Sequence, residues 1–242
     1  MSDASGEAGR EATTPDPAED LLAATPGTAY FWGHVAGSGE VTRDRVTVRV
    51  GDERAANALA AVAGVDHADR KHRVAARESA HDASIVRYED EHELTVFGPT
   101  GERAGAALGL PLDGGPGGYR FDAFSAYRAQ LLRGSLEACG TVCFRESAGS
   151  VGISFVHDDE RLLERIRSLL GDADPGAPTK ELAATSSGEY WFGLAEDADT
   201  TAFARWVYAG SDASGLYSET RRTKLRRSVE RATGVEVGSI SG

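Results

Sequence analysis

Two stretches decide the fold: "YFWGHVAGSGEV" at Tyr30–Val41 and "LLRGSLEACGTV" at Leu131–Val142. Each runs from bulky residues through a glycine, reaches a small residue four positions on and a second glycine two further, and leaves on a β-branched residue. Gly33 and Gly37, and correspondingly Gly134 and Ala138, stand at i and i+4, so each pair occupies one face of a helix. Faces without side chains let two backbones come closer than the usual ~8–10 Å between packed helices. The pattern predicts two equivalent helices packed on each other as a pseudo-twofold seam, each handing over directly to a strand.

The sequence around the two stretches repeats with them. Gly33 falls on Gly134 at an offset of 101, and Asp52, Glu53 and Arg54 fall on Asp159, Glu160 and Arg161 at an offset of 107. The difference of six fits a longer hairpin around "RESAGS" in the second copy. Each copy then reads in one order. A helix comes first, over about Leu21–Ser38 and Phe121–Cys139. A hairpin of alternating residues follows, "EVTR" with "RVTVRV" and "TVCFRE" with "VGISFV". An acidic start, "GDER" or "HDDER", opens a second helix. Two further strands and closing helical material complete each copy. The fold class is α+β, an αββαββα unit present twice, with two mixed or antiparallel sheets related by a pseudo-twofold at the paired helices.

The expected organisation is an acidic disordered tail over 1–28, a first half over 29–111, a glycine-rich linker over 112–119 ("LDGGPGGY") and a second half over 120–242 with a basic C-terminal helix. One chain carries both halves, so a monomer is expected.

These nine-residue segments, "FWGHVAGSG" and "LRGSLEACG", resemble the paired motifs of the LAGLIDADG family, best known as homing endonucleases. The element order agrees, and "ARWVYAGSDASGLYSETRRTKLRR" at Ala204–Arg227 is similar to the C-terminal pattern of many members. The resemblance implies a saddle of two sheets over double-stranded DNA, and a cut that uses divalent cations held by an acid at the eighth position of each motif. Here the eighth positions are Ser38 and Cys139. At the sixth position Ala36 stands in the first motif and Glu137 in the second. A neutral hydroxyl and a soft thiol do not replace two carboxylates around Mg²⁺. The expectation is therefore no bound metal, no cofactor, no catalytic residue, and helices kept as a packing device. Glu40 and Glu146 are the candidate substitutes for a residual nuclease working with Glu137.

A degenerate member can still bind DNA and regulate, as the resemblance to bacterial WhiA-type regulators implies. The nucleic-acid candidates are Arg43, Arg45 and Arg49 on the first hairpin, Arg70, Lys71, Arg73 and Arg77 in "RKHRVAAR", and Arg145 in the second half. The first three are expected to share one sheet face. Residues 219–231 add six basic residues against two acids, a local +4. The alternative, a scaffold that binds protein or a small ligand without DNA, stays open because the second half's strands are nearly neutral.

Bulk composition sets the background. The net charge is −12, and Lys71, Lys180 and Lys224 are the only lysines among 26 basic residues. This balance resembles that of a salt-loving archaeon, where acidity is general and only local basic clusters inform. The apolar content of 40% supports a real core. No run is long enough to span a membrane, the N-terminus lacks a signal-peptide pattern, and a cytoplasmic location is expected. Cys139 and Cys143, four apart, are expected reduced and buried. His67, His72, His81 and His92 match no metal spacing, and Trp32, Trp191 and Trp206 are expected as core or hinge aromatics.

Overall fold

The computed structural model describes residues 13–74 and 88–234, with side chains outside 72–90. The first half runs α1 (Pro26–Ser38), β1 (Gly39–Thr42), β2 (Arg45–Val50), α2 (Glu53–Ala63), β3 (Asp69–Val74), β4 (Tyr88–Phe97) and α3 (Thr100–Leu108). The second runs α4 (Arg128–Cys139), β5 (Gly140–Arg145), β6 (Ser150–His157), α5 (Glu160–Gly171), β7 (Ala183–Ala184), β8 (Tyr190–Gly193) and α6 (Thr200–Val207), and adds α7 (Ser211–Ser214) and α8 (Glu219–Thr233). Two antiparallel four-stranded sheets have matching orders, β1-β2-β4-β3 and β5-β6-β8-β7. The protein is thus a duplicated αββαββα fold.

Helices α1 and α4 cross backbone to backbone. A Cβ added at Gly33 would lie 2.2 Å from the Leu131 carbonyl oxygen and 3.0 Å from the Ser135 nitrogen. A Cβ at Gly134 would lie 2.3 Å from the Tyr30 carbonyl oxygen and 3.0 Å from the His34 nitrogen. The contacts are reciprocal at the same offset that relates the two sequences, as a twofold requires. A Cβ added at Gly37, one turn further along, would lie 2.7 Å from the Cβ of Ala138. With α4 on one side and its own sheet and α2 on others, α1 is buried at every position from Thr28 to Gly37 and carries no charged residue.

Both sheets cover the helices with one face. Val46, Val48, Val50 and Leu94 point inward in the first, and Val142, Val151, Ile153, Phe155 and Phe192 in the second. The alternation turns the intervening residues outward. Trp191, expected as a core or hinge aromatic, lies on this outer face at 39% exposure because its neighbour Phe192 takes the inward position. Cys143 is exposed for the same reason, beside inward Val142.

The first helix is shorter than expected, starting at Pro26, with Thr25 and Thr28 forming a reciprocal capping box. The expected helix from Phe121 begins as a 3₁₀ segment, Asp122–Tyr127, and becomes α-helical at Arg128. Residues three apart eclipse in a 3₁₀ turn, which lets both Phe121 and Phe124 reach the core.

The acidic tail expected over 1–28 falls partly outside the described residues. From Thr13 onward the chain lies against the body: Leu21 is buried, its carbonyl accepts the Trp32 indole N–H at 2.6 Å, and Asp20 pairs with Arg103 at 2.7 Å. The linker expected over 112–119 also packs, bridging Leu112 to Val41 and burying Tyr119.

Gly33→Ala or Gly134→Ala is expected to destabilise the protein by about 3 kcal/mol, since backbone cannot move aside as a flexible side chain would. Urea denaturation measures this. Gly171→Ala, where an added Cβ meets nothing within 4 Å, serves as the control.

Candidate functional site

The eighth motif positions lie at the ends of α1 and α4, where the seam opens. The Ser38 hydroxyl donates to the Arg49 carbonyl at 2.8 Å and lies 3.2 Å from the His34 carbonyl. The Cys139 thiol donates to the Ser135 carbonyl at 3.3 Å, and burial pushes its pKa up to about 12. Both groups are neutral donors directed at backbone oxygens. The divalent cation implied by the resemblance needs anionic oxygen ligands, and these two residues do not fit it. Among the described residues no group of three or more His, Cys, Asp and Glu is placed to hold a metal ion.

The remaining motif acid, Glu137, is committed elsewhere. Its Oε2 accepts the Tyr30 hydroxyl at 2.6 Å and lies 3.3 Å from His34 Nε2, with the carboxylate and the imidazole both buried. One turn earlier, the fully buried Arg133 donates to the carbonyls of Val207 at 2.6 Å, Leu216 at 2.7 Å and Ala209 at 2.9 Å. Its guanidinium also lies 5.5 Å from the Tyr208 ring centre. Burial, followed by the charge of Glu137, raises the pKa values of Tyr30 and Tyr208 well above the ordinary phenol value. Burial lowers that of Arg133, against the opposing pull of Glu137. Sequence reasoning missed this cluster. Its only trace is the spacing of Tyr30 with His34 and Arg133 with Glu137, each at i and i+4 on a motif helix.

The cluster joins α1, α4 and the chain around residues 207–216, so it holds the halves together. Tyr30→Phe leaves buried Glu137 without its shortest hydrogen bond and is expected to cost about 1–3 kcal/mol in denaturant unfolding. The candidate substitutes lie away from this buried carboxylate: Glu40 is half exposed, 4.0 Å from both Arg45 and Arg49, and Glu146 is exposed in the β5–β6 connection, 3.1 Å from Arg231.

Beside the cluster opens a cavity of about 470 Å³, lined by His34, Ser38, Asp52, Glu137, Thr220 and Arg221 among others. Asp52 caps two helices at once. Its Oδ1 accepts the Ala55 N–H of α2 at 3.0 Å and the Glu219 N–H of α8 at 3.4 Å. Its Oδ2 accepts the Thr220 N–H at 3.0 Å and the Thr220 hydroxyl at 2.7 Å. Burial opposes ionisation of Asp52, but the Thr220 hydroxyl and the backbone donors prevail and hold its pKa below the ordinary value. At the pseudo-symmetric position, Asp159 caps α5 and accepts the Tyr119 hydroxyl at 2.7 Å.

Asp52→Ala is expected to lower stability by about 1–2 kcal/mol at pH 7. A carboxyl with a lowered folded pKa stabilises above its ordinary value of 3.8 and loses that contribution as the pH falls through the folded value. Urea titrations at pH 7 and below pH 3 should therefore show the gap between wild type and variant closing in acid.

The predicted nucleic-acid residues do not form one free basic face. Arg43 falls in the β1–β2 turn and pairs with Asp113 at 3.5 Å, which corrects its expected place beside Arg45 and Arg49. Arg45 and Arg49 do share the outer face, where Arg49 pairs with Glu93 at 3.0 Å and Glu40 lies between them. Lys71 also pairs with Glu93. Arg70 sits opposite inward-facing His92 in the ladder, so it lies on the other face from Lys71. Arg73 on β3 is registered with Glu89 on β4, and Arg77 lies outside the described residues. Arg145 lies across the outer face of the second sheet, its Nε 2.7 Å from where a Cβ on Gly152 would be.

Among solved structures, full-length DUF199/WhiA from Thermatoga maritima is similar at 11% identity and a TM-score of 0.46, over 88% of this chain and 62% of that one. This chain therefore spans under two thirds of that protein's length. The N-terminal LAGLIDADG domain of DUF199/WhiA is similar at 14% identity and a TM-score of 0.46, over 78% and 86% of the two chains. A mesophilic variant of the homing endonuclease I-DmoI is similar at 13% identity and a TM-score of 0.45, over 75% and 94%. No curated protein matches by sequence. A LAGLIDADG family model, described as "Putative archaeal homing endonuclease", matches residues 8–235. With that match running over nearly its whole length, the chain belongs to the LAGLIDADG homing-endonuclease family.

Proposed function

We propose that this chain is a family member that binds double-stranded DNA without cutting it, and acts in regulation. The observation that carries the loss of cleavage is the state of the two helix ends: Ser38 and Cys139 are neutral and directed at backbone carbonyls. Glu137 is tied to Tyr30 and His34 inside the seam. Two-metal hydrolysis of a phosphodiester relies on carboxylates that hold the cations against the attacking and leaving oxygens. Family membership and the paired four-stranded sheets support the DNA partner. The composition further supports a halophilic archaeal source and a cytoplasmic setting, in which DNA binding works against high salt.

A second reading, a scaffold that has given up DNA, is favoured by the first sheet's outer face. There Glu40 and Glu93 neutralise Arg45, Arg49 and Lys71. Binding of the purified protein to a random-sequence duplex across a KCl series, with and without Mg²⁺, separates the readings. The expected result is retention that weakens with salt and leaves the DNA intact. Absence of retention at every salt concentration supports the scaffold. Mg²⁺-dependent cleavage that disappears in Glu137→Gln overturns the proposal.

A further inference from the structure

Helix α8 carries a cluster of positive charge. Residues 219–231 carry a local +4 in a chain of −12. On α8, Lys224, Arg227 and Arg231 stand at i, i+3 and i+7, one face of the helix, and all three are exposed. The face away from them buries Leu225 and Val229 against the body, and Ser228, between that face and the cations, is buried with its hydroxyl donated to the Lys224 carbonyl at 2.9 Å. Lys224 and Arg227 make no ion pair among the described residues. Arg231 bridges to Glu146 at 3.1 Å and lies 4.5 Å from the Phe144 ring centre. The contrast with the first sheet is direct, since Arg45, Arg49 and Lys71 there all have acidic neighbours.

The stripe is also held in place. Asp52 fastens the first turn of α8 through two N–H groups and a hydroxyl, and the apolar face anchors the rest. Beside the cations Thr220 is exposed and Thr223 half-buried, their hydroxyls donated to Asp52 and Glu219, and the exposed side of α8 holds no apolar side chain. A protein partner of comparable footprint would call for an apolar or aromatic centre to the patch. An exposed row of cations suits a polyphosphate backbone, to which lysine and arginine both donate. The acidic remainder repels a polyanion, so the field itself turns DNA toward α8.

We infer that α8, through Lys224, Arg227 and Arg231, is the phosphate-contacting surface of this protein, in place of the outer sheet faces. This rests on the DNA-binding reading above. Fluorescence anisotropy of a random-sequence duplex over a KCl series tests it on the full chain, comparing wild type with K224E/R227E and with R45E/R145E. Both double variants change the net charge equally, and circular dichroism checks that each is folded. The neutral pair K224Q/R227Q removes the same contacts without adding acids.

The expected result is an affinity loss of at least about tenfold in both α8 variants, with a salt slope shallower by about two for two lost phosphate contacts. R45E/R145E should lose far less. Loss confined to R45E/R145E, or equal loss in both charge-reversed variants, overturns the inference while leaving the DNA-binding reading intact. A wild-type protein that ignores duplex overturns both. Wild-type binding to immobilised polyglutamate but not to duplex assigns the stripe to an acidic protein and overturns the inference as well.

Discussion

The contact between the backbones of Gly33 and Gly134 is the constraint on which the molecule is built. Each glycine faces a carbonyl oxygen and an amide nitrogen of the opposite helix, closer than any side chain permits. Close approach sets the relation between the halves, and with it the placement of two sheets whose first strands leave directly from the helix ends. It also forces the flanking residues together. Tyr30 and His34 on α1 meet Glu137 on α4 because they stand on either side of the crossing. The polar cluster is thus a consequence of the glycine seam, and its hydrogen bonds reinforce the geometry that created it.

The two halves have kept their backbone symmetry while their surfaces diverged. Asp52 and Asp159 each cap the second helix of a half, yet one fastens α8 and the other fastens Tyr119 of the connecting segment. On the outer faces, the pairing of Arg49 with Glu93 corresponds to the pairing of Val156 with Trp191. Helix packing tolerates no change at the crossing, whereas an exposed sheet face accepts charge or its absence at little cost to stability. Divergence accumulated where packing left it free. Phe97, 78% exposed on the first sheet, and Trp191 on the second show how far the faces have departed from a uniform basic surface.

Much of the site was beyond reach of linear reasoning. The pattern of Arg45 and Arg49 revealed a shared face, but their neutralisation depends on Glu93, which comes beside them through the pairing of β2 with β4. Arg43 was misplaced because the hairpin turns one residue earlier than alternation suggested. Nothing in the sequence marks Arg133 as buried, and only the return of the chain at Val207–Leu216 supplies the three carbonyls that allow it.

By itself the sequence determined the duplication, the order of elements, the glycine seam and the absence of an acid from both eighth positions. These are local facts: small residues at helical spacing, alternation in strands, and the identity of the residue at a fixed point in a motif. The tertiary structure decided which charges are spent and which are free. Whether Glu137 is a ligand or a strut, and whether Lys71 or Lys224 is available to a partner, depends on residues distant in the chain that folding brings within hydrogen-bonding distance. Electrostatic pairing is a property of spacing in three dimensions, and no periodicity along one dimension encodes it.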